Sequence, residues 1–362
     1  MSRKGQGVLI MAGGTGGHIF PGLAVADCLR RQGIPVSWLG ATGAMECQRV
    51  PAAGIELNTV DIAGIRGKGL VSWLGFPWRL LRAVVQAVRL VGAVSPACAV
   101  SFGGYAAGPG GLAAKVRGVP LLVHEQNRLP GMTNRVLARL ANTVLQAFPG
   151  TWPESLHPKD CGNPVRASVS QVELPAIRMR ERSGPPRLLI TGGSQGARAL
   201  NRVVPAALAL LPEDQRPRVQ HQAGKGWQSE TREAYRSAGI EAEVMEFIDD
   251  MATAYAWADL VVCRAGALTV SELAAAGLGA VLVPFPHAVD DHQTLNAAFL
   301  VEAGAAELMP EAECTPEALA GSFFRLLGDR VRLLEMANAA RSVAIPDSAD
   351  RVAALCREFI PA

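Results

Sequence analysis

No aspartate or glutamate occurs between Ile62 and His124, a span in which the composition of the whole chain would place about five or six. The same span carries Arg66, Lys68, Arg79, Arg82, Arg89, Lys115 and Arg117. Cysteine is sparse and unpatterned. The seven thiols are odd in number, scattered from Cys28 to Cys356 and form no CxxC pair, which suits free thiols in a reducing cytoplasm. There is no D-x-D and no H-E-x-x-H, and the six histidines do not pair at ligand spacing except loosely at His287 and His292, so no metal or other cofactor is expected. The first apolar run, residues 8–12, is too short for a secretory signal. Residues 90–114 carry no charge, but six glycines and two prolines interrupt them, so they read as strand, loop and helix start and not as a membrane span.

What is present begins with IMAGGTGGHIFPGLAVA, Ile10 to Ala26. An apolar run of strand type enters a turn with four glycines in five positions, and a helical pattern leaves it. Glycine lets an anion approach the backbone, and a helix N-terminus offers unpaired N–H groups with partial positive charge, so the turn reads as a phosphate site or as a plain βα turn. A second copy follows half a chain later, where Arg187–Thr191 runs into GGSQGAR, residues 192–198. The repetition predicts an α/β protein of two doubly wound halves. Further strands are expected at 36–39, 99–102, 121–123, 219–222, 260–262 and 281–284. Residues 162–187, with Pro164, Pro175, Pro185 and Pro186, have linker composition, and the start of that segment marks the hinge. The halves differ in charge: residues 1–165 hold 16 basic and 7 acidic residues, net +9, and the remainder 19 and 25, net −6.

Familiar nucleotide motifs do not fit. G-x-G-x-x-G counted from Gly14 would need glycine at Ile19, which disfavours NAD, and Gly224-Lys225 lacks the first glycine and the Ser/Thr of a P-loop. Other polar clusters stand where α/β sheets bind ligands, directly after strands. His124-Glu125-Gln126-Asn127 follows one strand, and the DDHQ loop with Gln293 another. In GALTVSE, Thr269 and Ser271 read as caps of a helix, and Glu272 could accept bonds from vicinal ribose hydroxyls or serve only the helix dipole. His18, at the helix start beside the first glycine turn, is placed to remain neutral and act as a base, or to serve as a cap or core residue. Trp73 and Trp78 interleaved with arginines suit an anionic bilayer surface, against the plainer reading of core tryptophans under a solvated basic face. Nucleic acid is not indicated, because no recognition motif accompanies the basic residues.

Taken in order, GGTGGHIFPGLAVA, GGYAAGPGG, HEQNRLPGMTN, GNPVR, GGSQGAR, FIDDMATAYAWADLVV, GALTVSE and DDHQTLNA resemble the MurG family, bacterial transferases that build peptidoglycan. The resemblance spans Gly13 to about Ala305 and implies a GT-B fold, two Rossmann-like domains facing across a cleft. One domain, 1–165 with a returning helix at about 345–362, would face acceptor and membrane; the other, 166–344, would bind UDP-GlcNAc. The implied reaction is inverting, metal-independent transfer of GlcNAc to the C4 hydroxyl of undecaprenyl-pyrophosphoryl-MurNAc-pentapeptide (lipid I), giving lipid II. It places the protein on the cytoplasmic face of the inner membrane as a peripheral enzyme, within reach of cell-wall synthesis and division proteins. By motif position it assigns Thr15, Gly16, Gly17, Asn127, Arg166, Ser194, Ile248, Ala267, Leu268, Thr269, Val270, Ser271, Glu272 and Gln293 to substrate binding, with Ile248 at the uracil through its backbone and Glu272 at the ribose. His18 or Glu125 would take the hydroxyl proton. Ala107, Ala265 and His292 depart from residues common in the family. A UDP-sugar 2-epimerase and a non-catalytic UDP-sugar-binding protein are the rival readings, and the basic, aromatic segment argues against the first.

Overall fold

The computed structural model describes residues 5, 7–62, 76–193 and 196–361. It divides into two compact units, residues 1–166 with 345–362 and residues 167–344. In the first, strands β1 (Val8–Ala12), β2 (Val36–Ala41), β3 (Glu56–Val60), β4 (Cys98–Gly103), β5 (Leu121–Glu125), β6 (Thr143–Gln146) and β7 (Lys159–Asp160) form one sheet in the order β3-β2-β1-β4-β5-β6-β7. Every pairing is parallel. The helices are α1 (Gly16–Arg31), α2 (Glu46–Ala52), α3 (Phe76–Val94), α4 (Ala107–Val116) and α5 (Met132–Ala138).

Both faces of this sheet are covered, which is why its strands are continuous apolar runs and not alternating ones. Along β1, Val8, Ile10 and Ala12 pack into one core with Ile19, Val25 and Leu29 of α1. Leu9 and Met11 enter the opposite core with Ala87 and Val91 of α3 and Ala113 and Ala114 of α4. Where helix and strand come closest the helix has glycine: a Cβ on Gly22 would lie 2.6 Å from the Trp38 ring, and one on Gly110 2.5 Å from Leu39. Such overpacking is destabilising, so these positions admit no side chain.

The second unit contains β8 (Arg187–Thr191), β9 (Arg218–Gln222), β10 (Glu243–Met245), β11 (Leu260–Cys263), β12 (Gly279–Leu282) and β13 (Ala306–Leu308), ordered β10-β9-β8-β11-β12-β13 and parallel throughout. Its main helices are α6 (Arg198–Ala209), α7 (Gln228–Ser237), α8 (Met251–Trp257), α9 (Ala267–Ala276), α10 (His292–Glu302), α11 (Pro316–Leu327) and α12 (Arg330–Ser342); α13 (Ser348–Arg357) returns to the first unit. There Val352, Ala353 and Cys356 join the core of β1 and α1. With β1 or β8 taken as the first strand, both sheets run 3-2-1-4-5-6, the doubly wound order.

Two expectations need correction. Strand β12 ends at Leu282, so Pro284 lies beyond it; proline has no N–H to give a ladder. Residues 167–187 are not a free linker. Arg178 donates to Ala276 O (2.8 Å) and Gly277 O (2.7 Å) at the end of α9, and Arg182 pairs with the buried Asp259. Guanidinium groups thus satisfy carbonyls that a helix end leaves open.

Each unit also buries a neutral histidine. In the second, His221 Nε2 donates to Asn201 Oδ1 (3.0 Å) and its Nδ1 accepts from Tyr235 Oη (2.8 Å). Burial pushes its pKa down to about 3, and that of His124 in the first unit down to about 4. Unfolded histidine titrates near 6.5, so below that pH the unfolded chain binds protons the folded one refuses, and stability falls as pH falls. Urea unfolding at pH 5 should show a loss on the order of 2 kcal/mol per histidine relative to pH 7. A His221→Gln variant should flatten part of that dependence, and a flat wild-type profile would contradict the assignment.

Candidate active site

Both sheets present their turns at the carboxyl ends of parallel strands, the edge at which open α/β sheets bind ligands. In the first unit the turn after β1 is pressed against the turn after β4. Gly14 has φ +87° and Gly104 φ +92°, and a Cβ on Gly104 would sit 2.3 Å from Gly13 O. On the other side Glu46, wholly buried, accepts from Gly14 N (3.1 Å) through Oε2 and from Ala41 N (2.8 Å) through Oε1. The N–H of Gly14 is therefore occupied. His18 N and Ile19 N both bond to Thr15 O, so the N–H groups of Thr15, Gly16 and Gly17 are those the turn offers a ligand.

His18 Nδ1 lies 3.1 Å from Gly13 O and 3.4 Å from Thr15 Oγ1. A carbonyl oxygen can only accept, so Nδ1 carries the hydrogen and Nε2 presents the lone pair. Behind the ring, a Cβ on Gly103 would be 3.3 Å from Nε2, and Gly103 has φ +101°. The imidazole is partly exposed and lies against backbone.

Of His124-Glu125-Gln126-Asn127, three residues face inward. His124 Nε2 donates to Gly162 O (2.9 Å), and its Nδ1 accepts from Gln126 Nε2 (3.0 Å). Glu125 is 1% exposed, and both its oxygens are engaged: Oε1 by Asn127 N (3.0 Å) and Asn127 Nδ2 (3.1 Å), Oε2 by Gly131 N (3.1 Å) and Asn134 Nδ2 (3.0 Å). Such a carboxylate holds the 127–134 loop, with no lone pair turned to a substrate proton. Asn127 is the member of the four that reaches the surface. Arg166 belongs to this unit too, its guanidinium 5.5 Å from the centre of the Phe20 ring on α1.

In the second unit the turn after β8 repeats the close approach. A Cβ on Gly192 would be 2.1 Å from Ala197 N and one on Gly196 2.2 Å from Ala223 O, while Gly193 and Gly196 have φ near +75°. Ser194 lies outside the described residues. Gln222, at the end of β9, donates through Nε2 to Gly193 O (2.9 Å) and accepts at Oε1 from Ile248 N (3.0 Å). Ile248 thus has its N–H engaged, and its carbonyl accepts from no protein donor among the described residues.

Helix α9 is capped by the backbone of Gly266, not by Thr269 or Ser271. Those two lie inside the helix, and Ser271 Oγ bonds back to Ala267 O (2.9 Å). Ala267, Val270 and Glu272 are buried, whereas Leu268, Thr269 and Ser271 are half exposed. Val270 N closes the first turn on Gly266 O, so the N–H groups of Ala267, Leu268 and Thr269 point out of the helix end. Glu272 accepts from Tyr255 Oη (3.1 Å) on α8. Gln293 Oε1 accepts from Ala265 N (3.2 Å) and Phe285 N (2.9 Å), which fixes its amide with the NH2 left to donate. Among the described residues no cluster of His, Cys, Asp or Glu is arranged to hold a metal ion.

Residues 8–146 match the glycosyltransferase family 28 N-terminal domain and residues 187–352 the family 28 C-terminal domain. Two doubly wound units bearing these domains define a glycosyltransferase of the GT-B class. The chain is 55% identical over 346 residues to a UDP-N-acetylglucosamine–N-acetylmuramyl-(pentapeptide) pyrophosphoryl-undecaprenol N-acetylglucosamine transferase of Xanthomonas axonopodis pv. citri, covering 96% of this chain and 80% of that one. It is 54% identical to the protein of that name from Nitrosococcus oceani, over 97% and 98%. The crystal structure of Acinetobacter baumannii MurG superposes with a TM-score of 0.84 at 41% identity, over 98% of this chain and 99% of that one. The chain belongs to the MurG family. A UDP-GlcNAc 2-epimerase from Neisseria meningitidis, at 12% identity and TM-score 0.67, shares the fold alone.

Glu46, Asn134, Gln222 and Tyr255 had not been singled out from sequence. Glu46 did leave a signal, as the single acid between Asp27 and Glu56. If Glu272 receives the ribose, Glu272→Ala should weaken UDP binding about 10- to 100-fold, the usual worth of bonds to a charged acceptor. Calorimetric titration with UDP measures this, and an unchanged affinity would remove Glu272 from the nucleotide site.

Proposed function

We propose that this protein transfers GlcNAc from UDP-GlcNAc to the C4 hydroxyl of the muramyl sugar of lipid I, inverting C1 and producing lipid II. The observation that carries the reading is the 53–55% identity, over 96–97% of the chain, to transferases whose name states that donor and acceptor. In the reaction the C4 oxygen forms its bond to C1 as the bond from C1 to the UDP oxygen breaks. His18 Nε2 takes the hydroxyl proton, an assignment supported by the Nδ1 bond to Gly13 O, and Glu125 serves as an anchor. Negative charge developing on the leaving diphosphate is met by the glycine turn after β8 and by the N-terminus of α9, whose Ala267, Leu268 and Thr269 N–H groups need no reorganisation. Glu272 accepts from ribose hydroxyls, the Ile248 carbonyl from the base, and the Gln293 amide donates to a GlcNAc hydroxyl. Thr15, Gly16, Gly17 and Arg166 bind substrate, the first glycine turn admitting the donor's diphosphate or the acceptor's pyrophosphate.

The acceptor is a membrane lipid, and α3 offers a surface for one. Its inner stripe, Ala83, Ala87 and Val91, is buried, while Trp78 (73% exposed), Leu81 (53%) and Val85 (43%) stand on the outside with Arg79, Arg82 and Arg89. An apolar stripe flanked by arginines fits the interface of an anionic bilayer. Arg66, Lys68 and Trp73 lie outside the described residues. No described helix is long and apolar enough to cross a membrane. We place the protein at the cytoplasmic face of the inner membrane, where it would meet the cell-wall synthesis and division proteins that use its product.

Labelled UDP-GlcNAc with a lipid I analogue should yield a lipid carrying both sugars. Appearance of UDP-ManNAc without lipid product would mark an epimerase, and UDP-GlcNAc binding without turnover a sensor. His18→Ala should lower kcat at least about 100-fold while leaving UDP-GlcNAc affinity within about twofold. A near-normal kcat with unaltered pH dependence takes the base role from His18. In co-sedimentation, a variant with Trp78→Ser, Arg79→Glu and Arg82→Glu should lose binding to anionic vesicles and retain UDP-GlcNAc affinity. Undiminished vesicle binding would discard α3 as the membrane surface.

A further inference from the structure

Two glycines make room for one carboxylate in the first unit. A Cβ on Gly13 would lie 2.2 Å from Glu46 Oε1, and a Cβ on Gly40 2.6 Å from Glu46 Cγ. The carboxylate so admitted is 0% exposed and bridges two strand ends, accepting from Ala41 N at the end of β2 and from Gly14 N after β1. The peptide group between Gly13 and Gly14 is thereby held by its N–H, and the oxygen of that same peptide, Gly13 O, accepts from His18 Nδ1. A peptide is planar, so fixing the direction of its N–H fixes that of its C=O.

We infer that Glu46 is the positioning residue of His18: through the Gly13–Gly14 peptide it aims a carbonyl at Nδ1, which sets the imidazole tautomer and turns the Nε2 lone pair outward. Glu46 touches neither substrate nor the reacting atoms and works at one peptide's remove. A buried carboxylate accepting two backbone N–H bonds suits this task, because both its oxygens only accept. The inference rests on the reading of His18 as the base for its catalytic consequence, but not for its structural content.

Glu46→Gln tests it, since the shape is kept while one oxygen becomes an NH2 facing a backbone N–H. Donor would meet donor, and the Gly13–Gly14 peptide must rotate or shift. In long-range proton–nitrogen NMR spectra of the wild-type protein, His18 should appear as the Nδ1–H tautomer, and in Glu46→Gln as a mixture. In the assay, kcat should fall on the order of 10- to 100-fold, as loss of an outer partner of a functional histidine typically costs. The KM for UDP-GlcNAc should stay within about twofold, because Glu46 is buried and bonded to backbone N–H groups. Glu46→Asp, which keeps two accepting oxygens, should recover part of the loss. A wild-type His18 in the Nε2–H form overturns the proposal without any variant. So does a Glu46→Gln protein whose tautomer is unchanged, and so does a rise in donor KM equal to the fall in kcat, which would give Glu46 a part in donor binding. If His18→Ala proves active while Glu46→Gln still shifts the tautomer, the base assignment fails and the positioning role stands.

Discussion

The structure depends on backbone approaching backbone at the carboxyl edge of each sheet. Gly104 meets Gly13, Gly192 meets Ala197, and Gly196 meets Ala223 O, in each case at a distance where a Cβ would lie 2.1–2.3 Å from a main-chain atom. Substitution at these points displaces main chain, because no flexible side chain is there to yield. Helix N-termini and carbonyl groups are thereby placed close together without side chains between them. Local donors and acceptors of this kind bind a diphosphate or orient an imidazole without reorganising.

The two units secure their turns with different chemistry. In the first, buried carboxylates do it: Glu46 holds the turn after β1 and Glu125 the loop after β5. In the second, neutral amides do it: Gln222 spans Gly193 and Ile248, and Gln293 spans Ala265 and Phe285. Electrostatics gives a reason. A carboxylate buried beside the second turn would repel the diphosphate proposed to bind there, whereas an amide can both donate and accept with no net charge. At the first turn the charge of Glu46 is taken up by two backbone N–H bonds.

How much of this was legible in the sequence depended on whether a feature was local. The strands β1 and β8, each with its glycine turn and helix, were readable because an apolar run followed by glycines is a contiguous signal. The cap of α9 was misread because Gly266 caps with its backbone alone, while the nearby hydroxyls of Thr269 and Ser271 attracted the assignment. In HEQN, four polar residues after a strand looked like an exposed site, but three of them face inward, and sequence alone does not tell a ligand partner from a buried backbone partner. Residues 162–187 looked like linker by their prolines, yet Arg178 and Arg182 reach carbonyls 74 to 99 positions away. Glu46 and Gln222 were missed for the same reason, since their partners stand 32 and 26 positions distant and are main-chain groups that leave no mark in the sequence. Ser194 lies outside the described residues, so its reading stays with the motif.

Charge distribution follows the same division of labour. The first unit, residues 1–166 and 345–362, holds 19 basic and 10 acidic residues, net +9, and the second 16 and 22, net −6. Two of the acids in the first unit, Glu46 and Glu125, are buried, so its surface toward solvent is dominated by cations. Such a surface suits attraction to an anionic bilayer, which acts over about a Debye length and weakens with salt. The second unit would bind its anionic nucleotide against its own net charge. That is feasible because backbone donors act at contact distance, where ionic screening is weak. Long-range attraction therefore favours the unit proposed to face the lipid, and the unit proposed to hold the soluble donor relies on short-range geometry.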